Sequence, residues 1–317
     1  MHTVPIALSF AVVLAAGEWE WTEKEERTLA KLERSVKEDD GIFRLSKGRA
    51  WNVETPGSAR LAAEVSLYLT MLEDVICDLT GEKRELGAYP TVQVLASSAE
   101  LAEKAPGARG AAYRYRWESE QTGTASVRKR VVENHLYIVA AGDADAATLD
   151  AIDLPALREE GTRAVLCGIF GQPRACAWFE EGMASFLSTW DLHVAGRAID
   201  EAAFEERRLR SSNMAAARAA LERDASSGGP PKLASLLAAT ERELRKKRLV
   251  PGMSNEAAAE SLIDALLTSK GARSLRKSVS KEIARSAARG RDRVLLESAD
   301  VARLERLWHE HLAGGED

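Results

Sequence analysis

The sequence predicts an α+β fold whose strands are concentrated in the first half and whose second half is helical. Three observations carry this. Short strand-like runs between residues 42 and 140 surround one long amphipathic helix and then lead into a buried helix. After Trp190 strand signals stop, and apolar residues recur at helical spacing. The chain of 317 residues is 45% hydrophobic and 29% charged, a globular composition with ample core for one large or two moderate domains. A formal net charge of −5 argues against general nucleic-acid binding, which wants a basic face.

Residues 1–17, MHTVPIALSFAVVLAAG, hold an apolar run from Val4 to Ala16 that is too short to span a bilayer and ends in small residues. They predict a signal peptide cleaved after Gly17, and hence an exported, periplasmic or extracellular protein with no stable membrane span after cleavage. Against this, the opening Met-His-Thr carries no Lys or Arg. Residues 18–40 read as a charged helix with Leu29, Leu32 and Val36 on one face, ended by Asp39-Asp40-Gly41. Residues 42–55 are extended, with Trp51, Val53 and Thr55 alternating. Ser58 then N-caps a helix over 59–79, whose stripe is Leu61, Val65, Leu69, Leu72 and Ile76 and whose stop is Gly81.

A strand follows at 91–95, a short helix at 99–104, and three more strands at 110–117, 126–132 and 135–140. Asp153, ahead of Leu154-Pro155, caps the helix that carries Glu159, Glu160 and Arg163. Beyond residue 190, helices are expected at 198–223, 233–247, 256–270, 273–288 and 299–312, with SSGGPP at 226–231 as the clearest linker. The organisation expected is 1–17 leader, 18–195 α+β domain and 196–317 helical part. Five cationic side chains within 242–248 read as a solvated helix end suited to the C-terminal dipole, with a phosphate or acidic-lipid patch as the alternative. Cys77, Cys167 and Cys176 are odd in number, so they make no complete disulfide framework. They read as buried free thiols, with a Cys167–Cys176 bridge as the alternative.

Residues 157–188, LREEGTRAVLCGIFGQPRACAWFEEGMASFLS, organise the rest. The pair of helices resembles the active-site pair of a gluzincin metallopeptidase, in which the first helix reads H-E-x-x-H and the second W-x-x-E-G-x-A. The Gly171-Gln-Pro turn, Trp178, Glu181-Gly182 and Ala184 stand where that pattern has them, as do GRAWNVET at 48–55 and the segment at 110–113. Residues 45–190 are similar to the peptidase-MA-like domains of secreted bacterial proteins. The resemblance implies a mixed sheet whose edge strand borders a substrate cleft, with Tyr113, Tyr115 and Trp178 as cleft candidates. It also implies close approach of another segment at Gly161.

The same resemblance places Glu159 and Arg163 at the two histidine positions, Glu160 at the general base and Glu181 at the third metal ligand. Zinc needs lone pairs, and a guanidinium has none to give. The five histidines, His2, His135, His193, His309 and His311, include no pair at i, i+4, and no tyrosine follows Tyr137 to stabilise an oxyanion. The expectation is therefore that zinc is lost, with no cofactor in its place, and that Glu160 is a vestigial base. The Arg163 guanidinium would fork across Glu159 and Glu181 in place of the ion. The function expected is that of an inactive pseudopeptidase binding a peptide or protein partner. The alternatives are a hydrolase holding a harder cation on Glu159, Glu160 and Glu181, and a purely structural extracytoplasmic protein.

Overall fold

The computed structural model describes residues 19–46, 51–81, 89–122, 126–141, 148–170, 176–190, 211–225, 232–289, 294 and 296–314. Of these, 117, 119–122, 126–130, 224–225 and 270 are described by backbone alone. The predicted leader, the 226–231 linker and His193 fall outside the described residues. The fold is α+β, with one mixed sheet and a helical C-terminal part.

The described residues hold six strands, β1 (Lys37–Asp39), β2 (Ile42–Leu45), β3 (Asn52–Thr55), β4 (Thr91–Leu95), β5 (Ala111–Thr122) and β6 (Ser126–Val139), all but the charged β1 carrying β-branched or aromatic residues. Their spatial order is β1-β2-β3-β4-β6-β5, parallel at β3/β4 and β4/β6 and antiparallel elsewhere. β5 is thus an edge strand.

The first helix and the last strand pair differ from the sequence expectation. The first helix, α1 (Glu23–Glu33), opens on a Thr22–Glu25 capping box and stops well before residue 40. Residues 37–39 instead pair with β2, and Asp40 and Gly41 both adopt positive φ (51° and 72°), as a type I′ hairpin turn requires. The Asp-Gly stop signal was a strand turn, not a helix end. The two strands expected at 126–132 and 135–140 are one: polar Glu133 and Asn134 looked like a break, but their backbone continues the ladder to β5 at Arg116 and Tyr115.

The helices of the first half are α2 (Ala59–Thr80), α3 (Ser98–Lys104), α4 (Leu154–Phe170) and α5 (Ala177–Ser188). The second half supplies α6 (Ser212–Ala225), α7 (Ala234–Leu237), α8 (Glu241–Lys246), α9 (Asn255–Thr268), α10 (Arg273–Ala288) and α11 (Ser298–Leu312). The helix expected over 233–247 is divided in two. Thr240 and Glu243 form a capping box, and this local bonding starts α8 afresh.

One apolar core joins the halves. It runs from Val53, Val92 and Leu136 of the sheet through Leu72, Val165 and Phe186 of α2, α4 and α5 to Leu262 of α9 and Trp308 of α11. Buried Glu260 on α9 accepts hydrogen bonds from the hydroxyls of Ser185 (α5) and Ser211 and, at 2.7 Å, from the amide of Asn213 (α6). Three elements are therefore tied to a single carboxylate. Trp19 packs edge-on to Tyr68, which holds the N-terminal segment to α2. Cys77, Cys167 and Cys176 are buried free thiols, so no Cys167–Cys176 bridge forms. Among the described residues no helix is long and apolar enough to cross a membrane.

Candidate functional site: a carboxylate cluster closed by an arginine

Asp153 Oδ1 accepts from the Ala156 amide at 3.1 Å and starts α4, as its N-cap signal implied. From there the helical period puts Glu159, Glu160 and Arg163 on one stretch of surface, and α5 brings Glu181 against it. Arg163 touches all three carboxylates. Its Nη1 donates to Glu160 Oε1 at 2.6 Å, and its Nη2 donates to Glu159 Oε1 at 2.8 Å and Glu181 Oε2 at 3.1 Å. The arginine side chain is 13% exposed, against 41% for Glu159 and 34% for Glu181. It lies at the base of the cluster, not on its surface.

The electrostatics follow from this placement. Burial pulls the Arg163 pKa down, but Glu160, Glu181 and Glu159 together overcome it and hold the guanidinium more firmly charged than usual. Burial pushes the Glu160 carboxyl up. The Arg163 charge and the Tyr113 amide counter this only in part, and the net direction remains upward. That amide belongs to β5 and donates to Glu160 Oε2 at 2.8 Å, so α4 is pinned to the sheet edge through this carboxylate.

Tyr113 lines the cleft above the cluster, and its hydroxyl donates to Asn134 Oδ1 at 3.0 Å. Tyr115 is part-buried on the same strand but does not line the cleft. Trp178, expected at the cleft, is fully buried: its ring packs edge-on to Phe179 in the core because α5 turns that face inward. Beside Tyr113, burial pushes the Cys167 thiol up to about 12, which keeps it protonated and unreactive at neutral pH.

The cleft, of about 730 Å³, lies between the β5 edge, α4 and α5 on one side and the segment from α8 into α9 on the other. The helical half therefore builds one wall. Glu256, in the first turn of α9, belongs to it; its carboxyl is pushed up by burial, drawn down by the Asn213 amide, and pushed up further by Glu181 and Glu159. Sequence reasoning missed Glu256, since nothing in its local pattern ties it to residues some 75 positions upstream. It did single out the basic run as a solvated helix end, and the run does end α8 with its side chains exposed; what the sequence did not show is that it also lines this cleft.

These donors do not make a zinc site of the kind the resemblance implies. Of its two histidine positions one is a carboxylate and the other a cation, and the cation occupies the point where three acidic side chains converge. No described histidine lines the cleft. His311 sits 3.3 Å from the buried carboxylate of Asp264, and His135 stacks on Tyr137.

Fold and site together define an α+β chain with a cleft in which three clustered carboxylates share one guanidinium. No protein-family model matches the chain, and neither do any curated proteins or solved structures.

Proposed function

We propose that the chain is a catalytically inactive, metallopeptidase-like protein that binds a peptide or protein segment in its cleft. One observation carries the reading: a single guanidinium is bonded to each carboxylate that the gluzincin resemblance assigns to a ligand or a base. A cation fixed there supplies the positive charge a divalent ion would bring, without a lone-pair acceptor for substrate or water. The vestigial base Glu160 is also spent, bonded to Arg163 on one oxygen and to Tyr113 on the other. Arg163 equally speaks against a harder cation held on the same carboxylates. An open cleft beside an edge strand suits an extended polypeptide. With the leader reading, that binding takes place outside the cytoplasm.

The test is an assay of the purified chain against casein and quenched-fluorescence peptides, with and without added zinc, alongside a binding measurement on the same peptides. Saturable binding without cleavage is expected. Chelator-sensitive cleavage would overturn the inactive reading, and the absence of binding to every peptide would overturn the binding one.

A further inference from the structure

The basic run does not face open solvent alone. Arg245, Lys246, Lys247 and Arg248 all line the cleft that holds the carboxylate cluster. Asn255 fixes their backbone from both sides. Its Oδ1 accepts from the Leu249 amide at 2.9 Å, and its Nδ2 donates to the carbonyls of Leu244 at 2.7 Å and Lys247 at 2.5 Å. Val250, just beyond, is fully buried. The four cations are thus carried on an anchored segment.

Among the described residues, two of the four are in ion pairs and two are not. Arg245 and Lys247 pair only with Glu241 and Glu243 one turn back on their own helix, at 2.9 and 3.4 Å, whereas Lys246 and Arg248 make no ion pair among the described residues. All four are exposed. The opposite side is acidic, since Glu159 and Glu181 share Arg163 with Glu160; Glu256, on the helical wall itself, feels Glu181 and Glu159 and has no cation bonded to it among the described residues. Among the described residues six carboxylates and six cations line the cleft, so its net charge is close to zero, but four of the cations run together along Arg245–Arg248 while Glu159, Glu160 and Glu181 gather on Arg163 across from them. Such a surface selects by orientation and pattern more than by total charge.

We propose, resting on the peptide-binding reading of this cleft, that it selects polypeptides of mixed charge, whose acidic side chains lie along Arg245–Arg248 and whose lysine or arginine points at the Glu159/Glu181/Glu256 floor. Four cations spread over a helix end and the extended residues after it match a row of carboxylates, not one compact anion. Their place within a concave cleft, faced by carboxylates, also keeps them from lying flat on an acidic membrane.

The experiment titrates the full chain into three fluorescein-labelled dodecapeptides and follows anisotropy. One is glutamate-rich with a central lysine, one has every charge inverted, and one is neutral. The first is expected to bind about tenfold tighter than the neutral peptide and to weaken as salt rises. The double substitution Lys246→Glu/Arg248→Glu is expected to remove that preference while leaving the circular-dichroism melting curve unchanged, because both side chains are exposed. Equal affinity for the acidic and neutral peptides would overturn charge selection and leave the peptide-binding reading standing. Tighter binding of the inverted peptide would overturn the assigned orientation, and failure of all three to bind would remove both. Retention on anionic lipid vesicles without binding of the acidic peptide would also overturn the proposal.

Discussion

Arg163 bonded to three carboxylates is a different object from an exposed i, i+4 pair, and the difference is measurable. In Arg163→Met the carboxylates of Glu159, Glu160 and Glu181 would repel one another with nothing between them. Stripping the partner from a fully buried charge costs ~3–5 kcal/mol. Glu159 and Glu181 are more than a third exposed, so solvent screening reduces this to about 1–3 kcal/mol, still above the few tenths of a surface pair. A denaturant midpoint at neutral pH should fall accordingly. The pH dependence has a fixed sign. The Glu160 pKa is already raised above its ordinary 4.5, and loss of the cation would raise it further. A carboxyl whose folded pKa lies above its unfolded one favours the folded state at low pH and loses that contribution as pH rises through the folded value. The deficit of Arg163→Met should therefore be largest at neutral pH and shrink as pH falls towards and below 4.5. An Arg163→Met variant as stable as the parent at pH 7 would reduce the residue to a surface charge.

At the scale of elements, two glycines distinguish helix contacts that can yield from one that cannot. A Cβ at Gly182 would sit 2.6 Å from the Ala259 carbonyl oxygen, so α5 and α9 touch backbone to side-chain position. At Gly161 the nearest atoms are Leu72 Cδ2 at 2.9 Å and Leu69 Cδ2 at 3.0 Å, the ends of rotatable side chains on α2. Gly182→Ala should cost ~1–3 kcal/mol by forcing the helices apart, whereas Gly161→Ala gives back up to ~1 kcal/mol of helix propensity against its clash. Thermal melts in which Gly161→Ala proved the more damaging would contradict this packing. The close approach at Gly161 was expected from the family resemblance. The meeting of α5 with α9 was not, since residue 182 and residue 259 lie far apart along the chain and only tertiary structure joins them. The α1 and β6 boundaries failed for local reasons. Asp-Gly serves helix ends and hairpins alike, and polar residues inside a paired strand look like a loop until the partner strand is known.

For the whole molecule, the core passes without interruption from the sheet through α5 to α9, and buried Glu260 ties α5, α6 and α9 together. Residues 18–195 made alone would expose the α9-facing surface of α5, including Gly182 and Ser185, and would lose one wall of the cleft. They should lack a cooperative thermal transition, and a sharp independent one would contradict the shared core. The same assembly explains why Glu159, Glu160, Arg163 and Glu181 were readable from one stretch of sequence while the far wall of the cleft was not: α4 and α5 are neighbours in the chain, but the basic rim comes from the far half. The central claim is that a guanidinium stands in a peptidase-like metal position, and zinc titration of the parent beside Glu159→His/Arg163→His tests it most directly. Glu159, Arg163 and Glu181 already converge, so two imidazoles and a carboxylate placed there should hold about one zinc per chain, with little peptidase activity because no tyrosine follows the second helix. The parent should bind no stoichiometric zinc after dialysis, and one tightly held zinc in the parent, with none gained in the double variant, would contradict the account.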